Sequence, residues 1–249
     1  MSQAISDPQL QVRSWQSVAG AIDHTLLEAE ITREQVIRLC QEAHFYHFAA
    51  ICVNPCWINQ AVSVLQSTSV KIATTIGFPL GASQTTVKRF EAAEAILTGA
   101  QELEMVMNIG ALKSGDRQLV QADIAAVAEI THQHGAIVKV ILETGLLSLE
   151  EKILSCELAL AAGADFVKTA SGFAGSGATV DDIALLCGVV GDRAQVKASG
   201  GIHTAATALA MLEAGANRLG TSHAVSIVRE LGAPEFSIQH SALSTQPSR

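Results

Sequence analysis

The sequence predicts an α/β protein: a single domain in which eight parallel strands, each followed by a helix, close into a (β/α)8 barrel. Three observations carry this reading. The chain has 249 residues, a length that barrels of this kind use as one unit. It is 49% hydrophobic but only 4% aromatic, so its core must be built from Ala, Val, Ile and Leu, which suit helices packed around a parallel sheet. A Gly-Ala pair also closes a helical segment ahead of a β-rich run at Gly99-Ala100, Gly135-Ala136, Gly163-Ala164 and Gly215-Ala216, where each glycine suits the left-handed position just past a helix end.

In chain order the strand candidates are GAIDHTLL, FAAICVNP, VKIATTIGFP, ELEMVMNIG, IVKVILETG, DFVKTASG, AQVKASGG and NRLGTS. Between them lie segments with helical periodicity, such as Thr85–Leu97 and Leu149–Ala162. A doubly wound open sheet would place a GxGxxG turn after an early strand. The nearest glycine cluster, Gly172-Phe-Ala-Gly-Ser-Gly177, instead follows the sixth. Residues 1–18 read as a short helical prefix, 19–235 as the barrel, and 236–249 as a flexible tail.

Composition narrows the partners. With 24 acidic and 16 basic side chains the formal charge is −8, and no basic stripe offers itself to a nucleic-acid backbone. The five cysteines, Cys40, Cys52, Cys56, Cys156 and Cys187, are odd in number and scattered, which argues against a disulfide framework and a zinc site and for reduced thiols. The start, MSQAISDPQLQVRSW, lacks the basic and apolar regions of a signal peptide, and no run is apolar for long enough to cross a bilayer. A soluble, cytoplasmic protein without a membrane partner is expected. His24, His44, His47, His132 and His134 show no metal-binding spacing and no partnering carboxylate pattern, and read as surface or packing residues.

Chemistry in such a barrel collects at the C-terminal ends of the strands. Three lysines recur there at one constant interval: Lys139 in IVKVIL, Lys168 in FVKTAS and Lys197 in QVKASG. A lone strand lysine ordinarily reaches solvent or meets a carboxylate. Three at one interval, predicted at nearly the same barrel height, instead crowd positive charge inside the barrel, with Glu104 and Glu143 as the obvious carboxylates to offset it. Alternation along the strand sends Val167 and Thr169 outward when Lys168 points inward. The crowding has a use. A free lysine, with a pKa near 10.4, is neutral in only about one molecule in 2,500 at pH 7. Burial and a neighbouring cation both disfavour the charged form, and a lysine so activated forms a Schiff base with a carbonyl.

The segments IDHTLL (22–27), AAICVNP (49–55), TTIGFPLGA (74–82), MNIG (107–110), VKVILETG (138–145), GADFVKT (163–169), VKASGGI (196–202) and GTS (220–222) together resemble the deoxyribose-phosphate aldolases, a family of class I aldolases. The resemblance runs from about residue 20 to about residue 230. It implies a (β/α)8 barrel that reversibly cleaves 2-deoxyribose 5-phosphate to acetaldehyde and glyceraldehyde 3-phosphate with no cofactor and no metal. Its partners would be phosphorylated sugar and aldehyde substrates, and barrels of this type commonly pair as homodimers. The resemblance assigns Lys168 as the Schiff-base former and Lys197 as the neighbour that depresses its pKa. It places Asp23, Cys52, Lys139 and Thr169 around the substrate. Gly172, Gly200, Gly201, Gly220 and Ser222 would hold the phosphate, in keeping with a barrel's habit of binding phosphate at the loops after its last strands.

The chain departs from the family pattern in a few places. Where the family has Asp in a motif like E-[IL]-D-M-V, the sequence reads Glu102-Leu-Glu-Met-Val106, so the acid–base role falls to Glu104, one methylene longer. His203 stands where members commonly have Arg, and His223 where a second Ser often follows GTS, which predicts a weaker or more pH-dependent hold on phosphate. Some members use a tyrosine at the extreme C-terminus, whereas the one tyrosine here is Tyr46 and the tail is SIQHSALSTQPSR. Beside this aldolase reading stand two others: a different Schiff-base barrel aldolase or transaldolase acting on another phosphosugar, and a catalytically weakened phosphosugar-binding relative.

Overall fold

Each strand candidate forms a strand. The computed structural model describes residues 14–237. Its strands are β1 (Ile22–Leu26), β2 (Ala50–Val53), β3 (Lys71–Ile76), β4 (Glu102–Val106), β5 (Ile137–Ile141), β6 (Phe166–Lys168), β7 (Gln195–Ser199) and β8 (Arg218–Thr221). All neighbours are parallel, and β8 returns to pair with β1, closing the barrel. The helices are α1 (Trp15–Ala19), α2 (Arg33–Tyr46), α3 (Ile58–Leu65), α4 (Thr85–Thr98), α5 (Ile109–Lys113), α6 (Arg117–Gln133), α7 (Leu149–Ala161), α8 (Val180–Val190), α9 (Ala205–Glu213) and α10 (Ala224–Glu230). The prefix expected over residues 1–18 is described only from Ser14, as α1, and most of the expected tail lies outside the described residues.

Local chemistry sets the helix ends. Thr32 and Gln35 form a reciprocal capping box at the start of α2, and Ser148 and Glu151 do the same for α7, satisfying backbone N–H groups that the first turn leaves free. At the other end, the glycines of the four Gly-Ala pairs all have positive φ, with Gly99 at 118°. A side chain at Gly99 would also run into Val62 of α3, so both conformation and packing ask for glycine there.

The strands carry two populations of side chains. On their outer face Ile51, Val53, Leu103, Met105, Val138, Val140, Val167, Val196 and Leu219 are buried in one apolar layer with the helices. The inner face is polar at its centre: Asp23, Glu102, Glu104, Lys139, Lys168 and Lys197 are all buried. The register corrects one expectation. Lys168 pairs with Lys197, but β5 sets Lys139 opposite Phe166 and Ile141 opposite Lys168. Equal sequence intervals therefore do not give equal depth, because the pairing between β5 and β6 is staggered by one inward step, and Lys139 lies deeper.

Around the barrel, His24 lies against α2, its Nε2 3.0 Å from Glu42 Oε2, while His132 Nε2 is 2.9 Å from Asp165 Oδ2. These two histidines thus do have carboxylate partners, brought from other elements by the fold, although their packing and surface roles stand. Tyr46 is fully buried and donates its hydroxyl to the Pro234 carbonyl at 2.8 Å, tying down the segment after α10.

A second buried charge pair braces the strand that carries Glu104. Lys88 of α4 donates to Asp123 of α6 at 2.5 Å and to the Val106 carbonyl at the end of β4 at 3.0 Å. The two side chains are 0% and 1% exposed. Removing one partner strands the other in a dry interior, so Lys88→Ala is expected to cost about 3–5 kcal/mol of stability in denaturant unfolding. The Lys88→Ala/Asp123→Ala double variant should recover part of that loss.

Candidate active site

The barrel axis holds an ion cluster contributed by six strands. Asp23 comes from β1, Glu102 and Glu104 from β4, Lys139 from β5, Lys168 from β6, Lys197 from β7 and Arg218 from β8. Acid and base alternate through it. Asp23 Oδ2 lies 2.6 Å from Lys139 Nζ and 2.5 Å from Lys197 Nζ, and its Oδ1 accepts from Arg218 Nε at 2.8 Å. Glu104 Oε1 meets Lys197 Nζ at 2.5 Å, while its Oε2 meets Lys168 Nζ at 2.7 Å. Lys139 also reaches Glu102 at 2.5 Å and Glu104 at 3.3 Å, and Arg218 reaches Glu102 at 3.0 Å. Four basic groups therefore face three carboxyl groups.

The electrostatics follow from this packing. Burial pushes the Asp23 carboxyl up, but Lys139, Lys197 and Arg218 together outweigh it and hold the group well below the usual carboxylate range. Glu104 is likewise opposed by burial and held far down by Lys168, Lys197 and Lys139. Burial works against the Lys139 ammonium, yet Asp23, Glu104 and Glu102 raise it above an ordinary lysine. Lys139 is thus a fixed cation.

Above the cluster a cavity of about 220 Å³ opens at the C-terminal ends of the strands. Among the described residues Lys168 is the one lysine that lines it. Gly172, Gly200, Gly201, Gly220 and Ser222 line it too, so the glycine turns and the central lysine of the sequence reading share one space. His203 and His223 stand in its wall.

The other expected substrate contacts sit elsewhere. Asp23 and Lys139 are 0% exposed and bound into the ion cluster beneath the cavity, because each is flanked by opposite charges that no substrate could displace cheaply. Thr169 is buried in the wall: its hydroxyl donates to the Ser199 carbonyl and accepts from the Ser199 amide, both at 3.0 Å, joining β6 to β7. Cys52 points into the barrel beside Leu27 and Ala73, and burial pushes its thiol up to about 12, leaving a neutral wall group. Glu143 does not offset the lysines. Its carboxylate accepts from the Ser171 amide at 3.1 Å, from a backbone with φ of 59°, a conformation uncommon for a residue with a side chain. It anchors the loop after β6.

Glu102 and Arg218 escaped the sequence reading. The signal was present in each case, as an ionisable residue within a strand run: Glu102 opens ELEMV, and Arg218 interrupts NRLGTS. Gly220 has a further role. A Cβ there would lie 2.8 Å from Cε of Lys197 and 3.0 Å from Cβ of Ser199, so the missing side chain is what lets the Lys197 stem cross β8.

Similarity to known proteins agrees with this geometry. Residues 17–228 match a family model described as DeoC/LacD family aldolase. The chain is 54% identical over 214 residues to the deoxyribose-phosphate aldolase of Aciduliprofundum boonei, covering 86% of this chain and 96% of that one. It is 55% identical over 213 residues to the deoxyribose-phosphate aldolase of Thermococcus gammatolerans, covering 85% and 95%. A solved deoxyribose phosphate aldolase from Aeropyrum pernix, described as a unique tetrameric structure, superposes with a TM-score of 0.82 at 33% identity, covering 87% of this chain and 91% of that one.

Two expectations arise from the cluster. Asp23 and Glu104 have carboxyl groups held lower in the folded chain than in the unfolded one. Their contribution to stability is therefore present above the ordinary carboxylate range near pH 4 and lost as pH falls below it, so denaturant midpoints should drop on acidification from pH 5 toward pH 2. Replacing Asp23 with Asn should flatten that drop. Separately, Gly220→Ala should displace Lys197 from its two carboxylates, and steady-state kinetics should show a loss in kcat of about a hundredfold with a smaller change in KM.

Proposed function

The chain belongs to the DeoC/LacD aldolase family, and from that membership we propose that it catalyses the reversible cleavage of 2-deoxyribose 5-phosphate to acetaldehyde and glyceraldehyde 3-phosphate. It is a class I aldolase. The observation that carries the assignment of its nucleophile is the position of Lys168, 2% exposed, paired with one carboxylate and lining the cavity that the glycine turns surround.

The chemistry runs through that amine. Neutral Lys168 Nζ attacks C1 of the open-chain sugar, and the carbinolamine loses water to give a protonated imine. A base removes the proton of the C3 hydroxyl, the C2–C3 bond breaks, and its electron pair moves into the imine to leave an enamine. The three-carbon fragment departs as glyceraldehyde 3-phosphate. Protonation of C2 and hydrolysis then release acetaldehyde and restore the lysine.

Glu104 supports the proton steps. One oxygen contacts Lys168 at 2.7 Å and the other contacts Lys197 at 2.5 Å, so one carboxylate links and orients the two amines. The longer carboxylate thus still spans both amines, which supports turnover over the reading of a non-catalytic relative. Lys197 acts beside it as the neighbouring cation. Gly172, Gly200 and Gly201 offer backbone N–H groups to the phosphate, and Ser222 its hydroxyl.

Exposed Val87, Phe90 and Leu97 lie along one side of α4 at 52%, 67% and 72% and support a homodimer. No helix among the described residues is long and apolar enough to cross a membrane. The reduced thiols read from the cysteine spacing support a cytoplasmic location.

Incubation with acetaldehyde or 2-deoxyribose 5-phosphate, followed by borohydride reduction and peptide mass spectrometry, tests the assignment. An adduct on Lys168 that disappears in Lys168→Ala is expected. An adduct confined to another lysine, or one unchanged in the variant, overturns it.

A further inference from the structure

His203 follows β7 and His223 follows β8, and the fold brings the two rings edge to face, with centroids 4.3 Å apart and an interplanar angle of 77°. His203 Nδ1 is 3.2 Å from His223 Nδ1 and 3.3 Å from its Nε2. Ser222 Oγ lies 3.2 Å from the same His223 Nδ1. Both rings are exposed to solvent, and both line the cavity that Lys168 floors.

Two ring nitrogens at hydrogen-bond distance hold one proton between them, since two facing N–H groups would repel. The neutral pair is therefore self-satisfied when the cavity is free. A phosphate dianion changes that balance. It favours imidazolium, and a ring that takes up a proton can turn an N–H toward a phosphate oxygen in a charge-assisted hydrogen bond.

We propose that His203 and His223 form a proton-coupled phosphate clamp, in which binding of a phosphomonoester dianion draws a proton from solvent onto the pair and separates the two rings. This rests on the aldolase reading for its substrate, and adds which charge state of the phosphate the site selects. The other ionisable groups lining the cavity are Glu28, from the segment between β1 and α2, and Lys168 from β6. Glu230 of α10 accepts from the Ala205 amide, beyond His203. Glu28 places a carboxylate in the same cavity as the phosphate, and the imidazolium supplies a positive charge to offset it. The clamp works as a selector for phosphorylated over unphosphorylated sugar, and it relaxes as rising pH withdraws the extra proton from the pair.

Calorimetry with glycerol 3-phosphate, a phosphomonoester without a carbonyl, separates this from catalysis. At pH 7.5 the ester is already mostly dianionic, its own second ionisation lying near 6, so its residual titration releases protons and cannot imitate uptake. Titrations in two buffers of different ionisation enthalpy should show net proton uptake for the wild type and none for the His203→Gln/His223→Gln variant. In parallel, KM for 2-deoxyribose 5-phosphate should rise about fivefold from pH 6.5 to 8.5 in the wild type, and the variant should lose that slope. Absence of binding, binding without uptake, or uptake and slope that persist in the variant would each overturn the clamp. The borohydride adduct on Lys168 reports on the aldolase assignment independently: adduct without proton uptake sinks the clamp alone, and uptake without adduct sinks the nucleophile alone.

Discussion

The charge cluster along the barrel axis constrains everything around it. Bringing ammonium, guanidinium and carboxylate groups out of water costs several kcal/mol per ion unless each finds opposite charge at close range. Asp23 and Glu104 solve this by dividing their oxygens. Asp23 gives one to Lys139 and Lys197 and the other to Arg218; Glu104 gives one to Lys197 and the other to Lys168. Lys139 and Lys197 are held by at least two carboxylates each, whereas Lys168 has one. The lysine with the fewest ties is also the one that meets the cavity. Position in the network, more than proximity of cations alone, distinguishes the proposed nucleophile from its neighbours.

The strands were legible because they obey local rules. A glycine past several of the helix ends, a β-branched run and a small-residue turn recur along the chain, and none of these signals needs long-range information. Lys139, Lys168 and Lys197 were legible for a related reason, since an amine inside an apolar run stands out wherever that run ends up. What neighbours those amines was less accessible. The contact between Arg218 and Asp23 joins residues 195 positions apart and exists only because β8 closes on β1. The depth of Lys139 depends on register, which a residue interval does not encode. Thr169 matched a motif, but its hydroxyl answers to the backbone of the next strand, and Glu143 answers to a loop amide.

The same strand ends divide rigid support from reactive surface. Thr169 and Ser199 stitch β6 to β7, and the Ser199 hydroxyl reaches the Ala170 carbonyl. Glu143 fixes the Ser171 amide, and Gly177 packs so closely over Gly200 that a Cβ would come within 2.4 Å of its carbonyl oxygen. Apart from Glu143, these contacts use backbone and short side chains, which lose little entropy on ordering. They leave the loops after β6 and β7 as one seated unit above Lys168, with Gly172, Gly200 and Gly201 facing the cavity.

The unequal tally within the cluster bears on the direction of electron flow. Basic groups exceed acidic ones by one, so the axis carries an uncompensated positive charge when all are ionised. With Lys168 as the covalent partner, an iminium preserves that excess, because its nitrogen is still cationic. The neutral enamine cancels it. Once the C3 hydroxyl proton has passed out of the cluster, carbon–carbon scission thereby discharges the interior: the electron pair of the broken bond ends in the enamine, and the low-dielectric surroundings that made the assembly expensive to build favour the loss of net charge.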